Sequence, residues 1–296
     1  MKKFPFVSIC TPTYNRKIFI EQMIENYMNQ TYPKKNMEWI IINDGDEEIN
    51  DILKKYDIPN LRYISLKNRI TLGEKRNMLN DLSKGEYILY MDDDDYYYPE
   101  RVKYSIEMMK KHPKYLIAGC NKLYVHFNNL KKIYSFGPYF NNHCTAASFC
   151  FKKELLNKCR FDETKKFGEE KSFLKDYTIP ILHLDPLKIL LVINHNDNTC
   201  DKLRLLNNNN NKFIKEEEKL NINLLIKNED IINFYTNVNE KITNNKKNKK
   251  VLYYRDPEGL DKALSYEDLF DLFVTMKTRI EEFEKIEKEL KNKEKE

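Results

Sequence analysis

Over its first 115 residues the chain alternates short, β-rich apolar runs with segments whose apolar residues recur every three or four positions. Residues 6–10, 39–42, 61–66 and 87–91 read as strands. Residues 18–30, 49–56 and 72–82 carry helical stripes, and Pro99 opens another helix. Strands separated by helices need crossover connections, and those connections lay helices on the faces of a largely parallel sheet. From 116 to 160 the pattern changes to short strands at 116–119, 123–127, 132–136 and 147–151, followed by a helical pattern over 153–182 and a strand at 189–193. A βα half joined to a mixed half predicts one α/β domain over residues 1–205.

Beyond that point the composition shifts. Five consecutive asparagines occupy 207–211, and 241–250 mixes Asn with Lys. Residues 206–250 therefore read as an Asn/Lys-rich linker or insertion, with helical potential over 213–235. Residues 251–296 read as an amphipathic helical extension, with Leu269, Phe273, Met276, Ile280, Phe283, Ile286 and Leu290 on one stripe. The stripe packs on the domain or pairs two copies as a homo-oligomer. Phenylalanines suit a coiled-coil seam poorly, which favours packing in cis.

Composition removes several classes. The 51 basic and 46 acidic residues give a net charge of +5, with no concentrated basic stripe of the kind nucleic-acid binders carry. Twenty Tyr and 16 Phe exclude a mostly disordered chain. No run approaches the ~18 apolar residues of a membrane span. The start lacks a small-residue cleavage site, so a soluble cytoplasmic protein is expected, in the host cytoplasm if the source is a virus. Six cysteines without a Cys-x-x-Cys pair then read as reduced, buried thiols.

The chemistry concentrates at strand ends. Asp92, Asp93, Asp94 and Asp95 directly follow the strand at 87–91. In open parallel sheets ligands bind beyond the carboxyl ends of strands. Four carboxylates there repel one another unless a cation neutralises them. Hard divalent ions such as Mg2+ or Mn2+ take oxygen ligands, often one or two carboxylates plus substrate phosphates. The plainer alternative is a solvated acidic loop capping the next helix. The sequence Thr-Pro-Thr-Tyr-Asn-Arg at 11–16 ends the first strand, and Asn-Asp-Gly-Asp at 43–46 ends the second. Tyr14 there can stack on a base, and Asp44 can accept hydrogen bonds from a ribose or a base edge.

In order, VSICTPTYNR at 7–16, EWIIINDGDEE at 38–48, LGEKRN at 72–77, KGEYILYMDDDD at 84–95, SFCFKKELL at 148–156, RFDETKKFGEE at 160–170 and INHNDNT at 193–199 resemble the family 2 glycosyltransferases. The resemblance covers roughly residues 5–200. It implies the GT-A fold: a Rossmann-like, mostly parallel mixed sheet flanked by helices, here with an α-helical C-terminal extension. It also implies transfer of a sugar from a nucleotide diphosphate, most often UDP, to a hydroxyl, by a metal-dependent, inverting mechanism with Mn2+ or Mg2+. Pro12, Tyr14, Arg16, Asp44, Arg76, Asp92 and Asp93 would line the nucleotide site. Asp92 and Asp94 match the family's Asp-x-Asp acids, and Asp94, Asp92 and His195 would serve the metal. Gly168-Glu169-Glu170 matches the family's Gly-Glu-Asp, which makes Glu170 the expected catalytic base and Glu169 the fallback. The acceptor would be a glycan, a lipid-linked molecule or a protein.

Two other functions remain compatible with the residues. A nucleotidyltransferase making nucleotide sugars shares the α/β domain and Asp-bound Mg2+, but normally has a glycine-rich loop after its first strand, and TPTYNRK contains none. A catalytically inactive GT-A binding or assembly module would be expected to lack the metal acids or the base.

Overall fold

The computed structural model describes residues 4–164, 168–198, 202–206 and 211–247, together with 253–255, 261–263 and 280. The first compact unit runs from Met1 to Ile242 and the second from Thr243 to Glu296.

The strands of the first unit are β1 (Val7–Thr13), β2 (Met37–Asn43), β3 (Leu61–Ser65), β4 (Tyr87–Tyr90), β5 (Tyr96–Tyr97), β6 (Ile117–Gly119), β7 (Leu123–Phe127), β8 (Lys132–Phe136), β9 (Cys150–Lys152), β10 (Ile181–His183), β11 (Leu190–Asn194) and β12 (Ile214–Glu216). Its helices are α1 (Ile20–Met28), α2 (Asn50–Leu53), α3 (Leu72–Leu82), α4 (Arg101–Lys111), α5 (Glu169–Phe173), α6 (Leu203–Leu206), α7 (Ile222–Leu225) and α8 (Glu229–Thr236); α9 (Val238–Lys247) starts within it.

A seven-stranded sheet has the order β10-β6-β9-β4-β1-β2-β3. Strands β3, β2, β1 and β4 run parallel. Strand β9 is antiparallel to both β4 and β6, and β10 is parallel to β6. A second sheet of five strands has the order β12-β8-β7-β11-β5. This is the mostly parallel, mixed α/β sheet flanked by helices that the sequence leads one to expect.

Both faces of the main sheet are covered, and period two divides its side chains between them. Val7, Ile9, Trp39, Ile41 and Leu89 join one core, where Tyr27 of α1 stacks on Trp39 at 4.5 Å. Cys10, Ile40, Ile42, Ile88 and Tyr90 join the other, with Leu79 of α3. Strand β1 extends past the expected stop at Cys10 and includes Pro12. It pairs with β4 only through Cys10 but with β2 through Thr13, so the missing N–H of Pro12 costs no ladder bond on the open side.

Two expectations need correction. The helical pattern over 153–182 resolves into a 3-10 turn at Lys153–Asn157, the short α5 and edge strand β10. Lys175, Asp176 and Tyr177 all have positive φ, which no α-helix accommodates. The boundary expected at residue 205 also falls inside a packed body. Ile222, Ile226, Ile231, Tyr235, Val238 and Ile242 are buried in a third core with Phe19, Tyr96, Leu191 and Ile193. Residues 222–242 therefore close this core, through the apolar faces of α7, α8 and the start of α9.

In the second unit an antiparallel ribbon pairs Tyr253–Arg255 with Asp261–Ala263. Of the helical extension expected over 251–296, the described residues 253–255 and 261–263 form this ribbon instead of helix, residue 280 is helical, and the rest lies outside the described residues. No helix among the described residues is long and apolar enough to cross a membrane. Cys10, Cys120, Cys144, Cys150 and Cys159 are free and buried, and Cys200 lies outside the described residues.

Candidate functional site

The carboxyl ends of β1, β2 and β4 point the same way, so the loops that follow them meet at one edge of the sheet. At that edge Asn15 has φ 52° and its Oδ1 accepts from the Asp46 N–H at 2.8 Å. A Cβ on Gly45 would lie 2.5 Å from the Asn15 backbone nitrogen, so only glycine lets these loops touch.

Asp44 is buried at the end of β2. One carboxylate oxygen accepts from the Ile70 N–H at 3.0 Å, and the other is paired with the Lys75 ammonium. Lys75 is also buried and donates to the Thr13 carbonyl at 3.0 Å. Burial lowers its pKa against the pull of Asp44. Tyr14 lies beside this pair, with the Arg69 guanidinium 4.1 Å from its ring centre. Pro12 lies in β1 beneath them.

The four aspartates divide by partner. Asp92 faces Arg76 Nη2 at 3.4 Å, and its N–H donates to the Tyr97 hydroxyl at 2.7 Å. Asp93 and Asp94 face Arg16, at 3.9 Å from Nε and 3.6 Å from Nη2 respectively. Asp95 turns inward: its carboxylate accepts from the Ile193 N–H at 3.0 Å, and its carbonyl accepts from Asn26 and from the Tyr235 hydroxyl. Burial raises the pKa of Asp92, Asp93 and Asp95, and neighbouring Asp94 adds to each. Burial pushes Asp94 the same way, but the hydrogen bond from His195 and the charge of Arg16 outweigh it and hold Asp94 ionised.

His195 follows β11 and reaches Asp94 with Nε2 at 3.2 Å. Its Nδ1 lies 3.1 Å from the Asp197 backbone nitrogen. Asn198 accepts from the His195 N–H at 2.7 Å and lies 3.5 Å from Asp94. The C-terminal segment holds this loop. Phe19 tilts against the His195 ring at 4.8 Å and meets Phe234 at 6.0 Å. Asn239 accepts from the Asn196 N–H at 2.9 Å and donates to Asn129 at 2.7 Å.

Glu169 and Glu170 open α5 behind Gly168, whose φ of 68° is left-handed. They point to different neighbours. Glu169 is buried and meets Arg76 Nε at 3.4 Å; burial raises its pKa despite that charge. Arg76 is itself 3% exposed, and its guanidinium lies 4.6 Å from the Tyr90 ring centre. Glu170 is half-buried and accepts from the Ala146 N–H at 3.3 Å and the Thr145 hydroxyl at 3.5 Å.

The structure thus brings Pro12, Tyr14, Arg16, Asp44, Arg76, Asp92, Asp93, Asp94, Glu169 and His195 to one edge, with Glu170 at its margin. Of the expected metal set, Asp94 and His195 touch, whereas Asp92 is turned toward Arg76. Among the described residues no three His, Cys, Asp or Glu side chains converge into a ready cage. The Asp94–His195 pair offers one oxygen and one nitrogen, a donor set suited to Mn2+ when substrate phosphates complete the shell. Sequence reasoning missed Lys75 and Asn198. Both sit inside quoted motifs, Lys75 next to Arg76 in LGEKRN and Asn198 in INHNDNT.

Residues 8–177 match glycosyl transferase family 2. The chain is 26% identical over 234 residues to the chondroitin synthase of Escherichia coli, which covers 73% of this chain and 33% of that protein. It is 28% identical over 177 residues to an uncharacterized glycosyltransferase of Methanocaldococcus jannaschii, covering 54% of this chain and 60% of the relative. The chain thus spans one third to three fifths of these relatives. A mannosyltransferase from Pyrobaculum calidifontis, solved with GDP-Man and Mn2+, shares the fold with a TM-score of 0.52 at 14% identity, over 64% of this chain and 57% of that one. S. aureus TarS gives a TM-score of 0.50 at 20% identity, over 64% of this chain and 37% of that one. With more than half of its length matched, the chain belongs to glycosyl transferase family 2 and has the GT-A fold.

Proposed function

We propose that this chain is a metal-dependent, inverting glycosyltransferase, and that its donor is a UDP-sugar. The observation that carries the reading is the placement of Asp94, His195 and Arg16 on one side of the sheet edge, Asp44 on another, and Glu169 with Glu170 across from them. Asp44 and Tyr14 would hold the base, with Lys75 fixing the carboxylate. Arg16 and Arg76 would meet the diphosphate, since guanidinium forks match phosphate geometry. Asp94 and His195 would hold Mn2+ or Mg2+, and Asp92 would turn to it from Arg76. When bound, that ion supplies Lewis-acid stabilisation of the leaving diphosphate.

The acceptor oxygen forms its bond to the anomeric carbon as the bond from that carbon to the diphosphate oxygen breaks. Its proton passes to a carboxylate, and the nucleoside diphosphate leaves with the electron pair. Attack from the face opposite the diphosphate inverts the centre. Glu170 is the favoured base, because it faces the 145–146 loop on the acceptor side whereas Glu169 is held by Arg76. A base must lie within hydrogen-bond reach of the proton it removes.

The test is a donor screen. Purified protein, Mn2+ and a panel of UDP-, GDP- and dTDP-sugars are assayed for released nucleoside diphosphate, with and without chelator. Turnover of a UDP-sugar that disappears with chelator and in Asp94→Ala supports the reading. Preference for another nucleotide overturns the donor, and turnover surviving both treatments overturns the metal role.

A further inference from the structure

On the far side of the sheet from Asp44, the chain gathers aromatic side chains around one loop. Strand β6 runs parallel to β4, because both are antiparallel to β9, and β10 runs parallel to β6. The carboxyl ends of β6 and β10, at Gly119 and His183, therefore open on the same edge as the aspartates. The loop over residues 137–149 lies there: a Cβ on Gly119 would meet Cys144 Sγ at 2.8 Å, and His183 Nε2 lies 2.6 Å from the Asn141 carbonyl.

This loop is tied to the acid pair, since Ala146 and Thr145 donate to Glu170. His143 sits between Tyr139 at 4.7 Å and Tyr177 at 5.2 Å. Phe213 meets Tyr139 at 5.2 Å and Phe140 at 6.3 Å. Phe140 is 72% exposed, more than any other large apolar residue described as exposed in this chain. Tyr177 reaches its place through three consecutive residues of positive φ, and each non-glycine residue in that region costs about 1–3 kcal/mol. Such strain persists where a particular placement is required. Tyr177 borders the second core and lies half-buried. Among the described residues, His143 Nδ1 and His183 Nδ1 also find no hydrogen-bond partner.

We propose that Tyr139, Phe140, His143, Tyr177 and Phe213 form the acceptor subsite, and that the acceptor is a glycan whose pyranose ring stacks on Phe140. The inference rests on the transferase reading above and names the substrate class of that same site. An apolar ring face beside polar imidazoles suits a pyranose, whose C–H groups cover one face while its hydroxyls ring the edge. A lipid acceptor would need a longer continuous apolar groove, and a peptide would need an unpaired strand edge or charges. The same loop reaches the proposed base through Thr145 and Ala146, which donate to Glu170, whereas Asp44 lies across the sheet.

The test uses full-length protein and Phe140→Ala, Phe140→Trp and Tyr177→Ala. Saturation-transfer NMR with a panel of methyl pyranosides and disaccharides needs no donor and reports saccharide binding directly. Wild type and Phe140→Trp are expected to show transfer to saccharide ring protons, and Phe140→Ala to lose it. With the donor found by the screen, KM for the saccharide acceptor should rise at least about tenfold in Phe140→Ala, the equivalent of ~1.4 kcal/mol. UDP affinity, measured by calorimetry, should be unchanged and serves as the folding control. Saccharide binding that survives Phe140→Ala overturns the proposal, as does a panel that wild type neither binds nor glycosylates. A loss of UDP affinity in Phe140→Ala assigns the aromatic loop to the donor and overturns it too. Failure of every nucleotide sugar while saccharides still bind at Phe140 sinks the transferase mechanism and leaves the glycan subsite standing.

Discussion

Replacing Tyr235 separates a packed C-terminal segment from a linker. The side chain is fully buried, edge-on to Tyr96 at 6.3 Å, and its hydroxyl donates to the Asp95 carbonyl at 2.8 Å and accepts from Asn26 at 3.2 Å. Truncating a buried aromatic residue to alanine costs about 3–5 kcal/mol. Tm falls by about 2–4 °C per kcal/mol in a unit of this size, so Tyr235→Ala should melt about 6–20 °C below wild type. Tyr235→Phe keeps the ring and loses two hydrogen bonds, worth about 1–2 kcal/mol, and should melt about 2–8 °C lower. A substitution in a solvated linker would stay within about 0.5 kcal/mol of wild type. The assay is calorimetric or circular-dichroism melting of the full chain. A Tyr235→Ala protein melting within about 2 °C of wild type would refute the claim that residues 222–242 close the third core.

Two further outcomes follow from the site and the second sheet. Glu170→Gln should leave UDP and metal affinity near wild type while lowering transfer by about 10²–10⁴-fold, with a smaller loss in Glu169→Gln; a more crippled Glu169→Gln moves the base one residue back. His126 is buried with neither ring nitrogen hydrogen-bonded among the described residues, and burial pushes its pKa from 6.5 down to about 4. The unfolded chain therefore takes up a proton below 6.5 that the folded chain refuses, so stability present above that pH is lost, by about 3 kcal/mol, as pH falls toward 4. Urea midpoints of His126→Leu should decline less over that range than those of wild type, and parallel declines would remove His126 as the cause.

Much of the fold was legible because β1, β2 and β4 carry continuous apolar runs, the mark of strands buried on both faces. The strand ends that hold Asp44 and Asp92 followed from those runs. The stretch at 153–182 was misread because Leu155, Leu156, Phe161, Phe173 and Leu174 recur at spacings a helix also produces. No glycine announces the left-handed turn at Lys175, Asp176 and Tyr177. The C-terminal segment was hidden by its low-complexity flanks, although Ile231, Tyr235, Val238 and Ile242 repeat at four, three and four, a stripe visible in the sequence. Within the site, the sequence could bring acids together but not assign their neighbours. That Asp92 turns to Arg76, Asp94 to His195 and Asp95 to the core depends on contacts between residues far apart in the chain.

The antiparallel strand β9 lies between β4 and β6 and so divides the ligand edge in two. Asp44 and Tyr14 follow the ends of the parallel strands to one side of it, with Lys75 of α3 paired to Asp44, and His183 with the aromatic loop stands on the other. Substitutions on the two sides share no contact described between them, so their effects on transition-state free energy should add. On the proposed assignment, donor choice and acceptor choice become separable traits: a lineage can exchange one without re-optimising the other, and because the loop at 137–149 precedes β9 in the chain while Tyr177 and Phe213 follow it, a laboratory swap of acceptor specificity has to move those segments together.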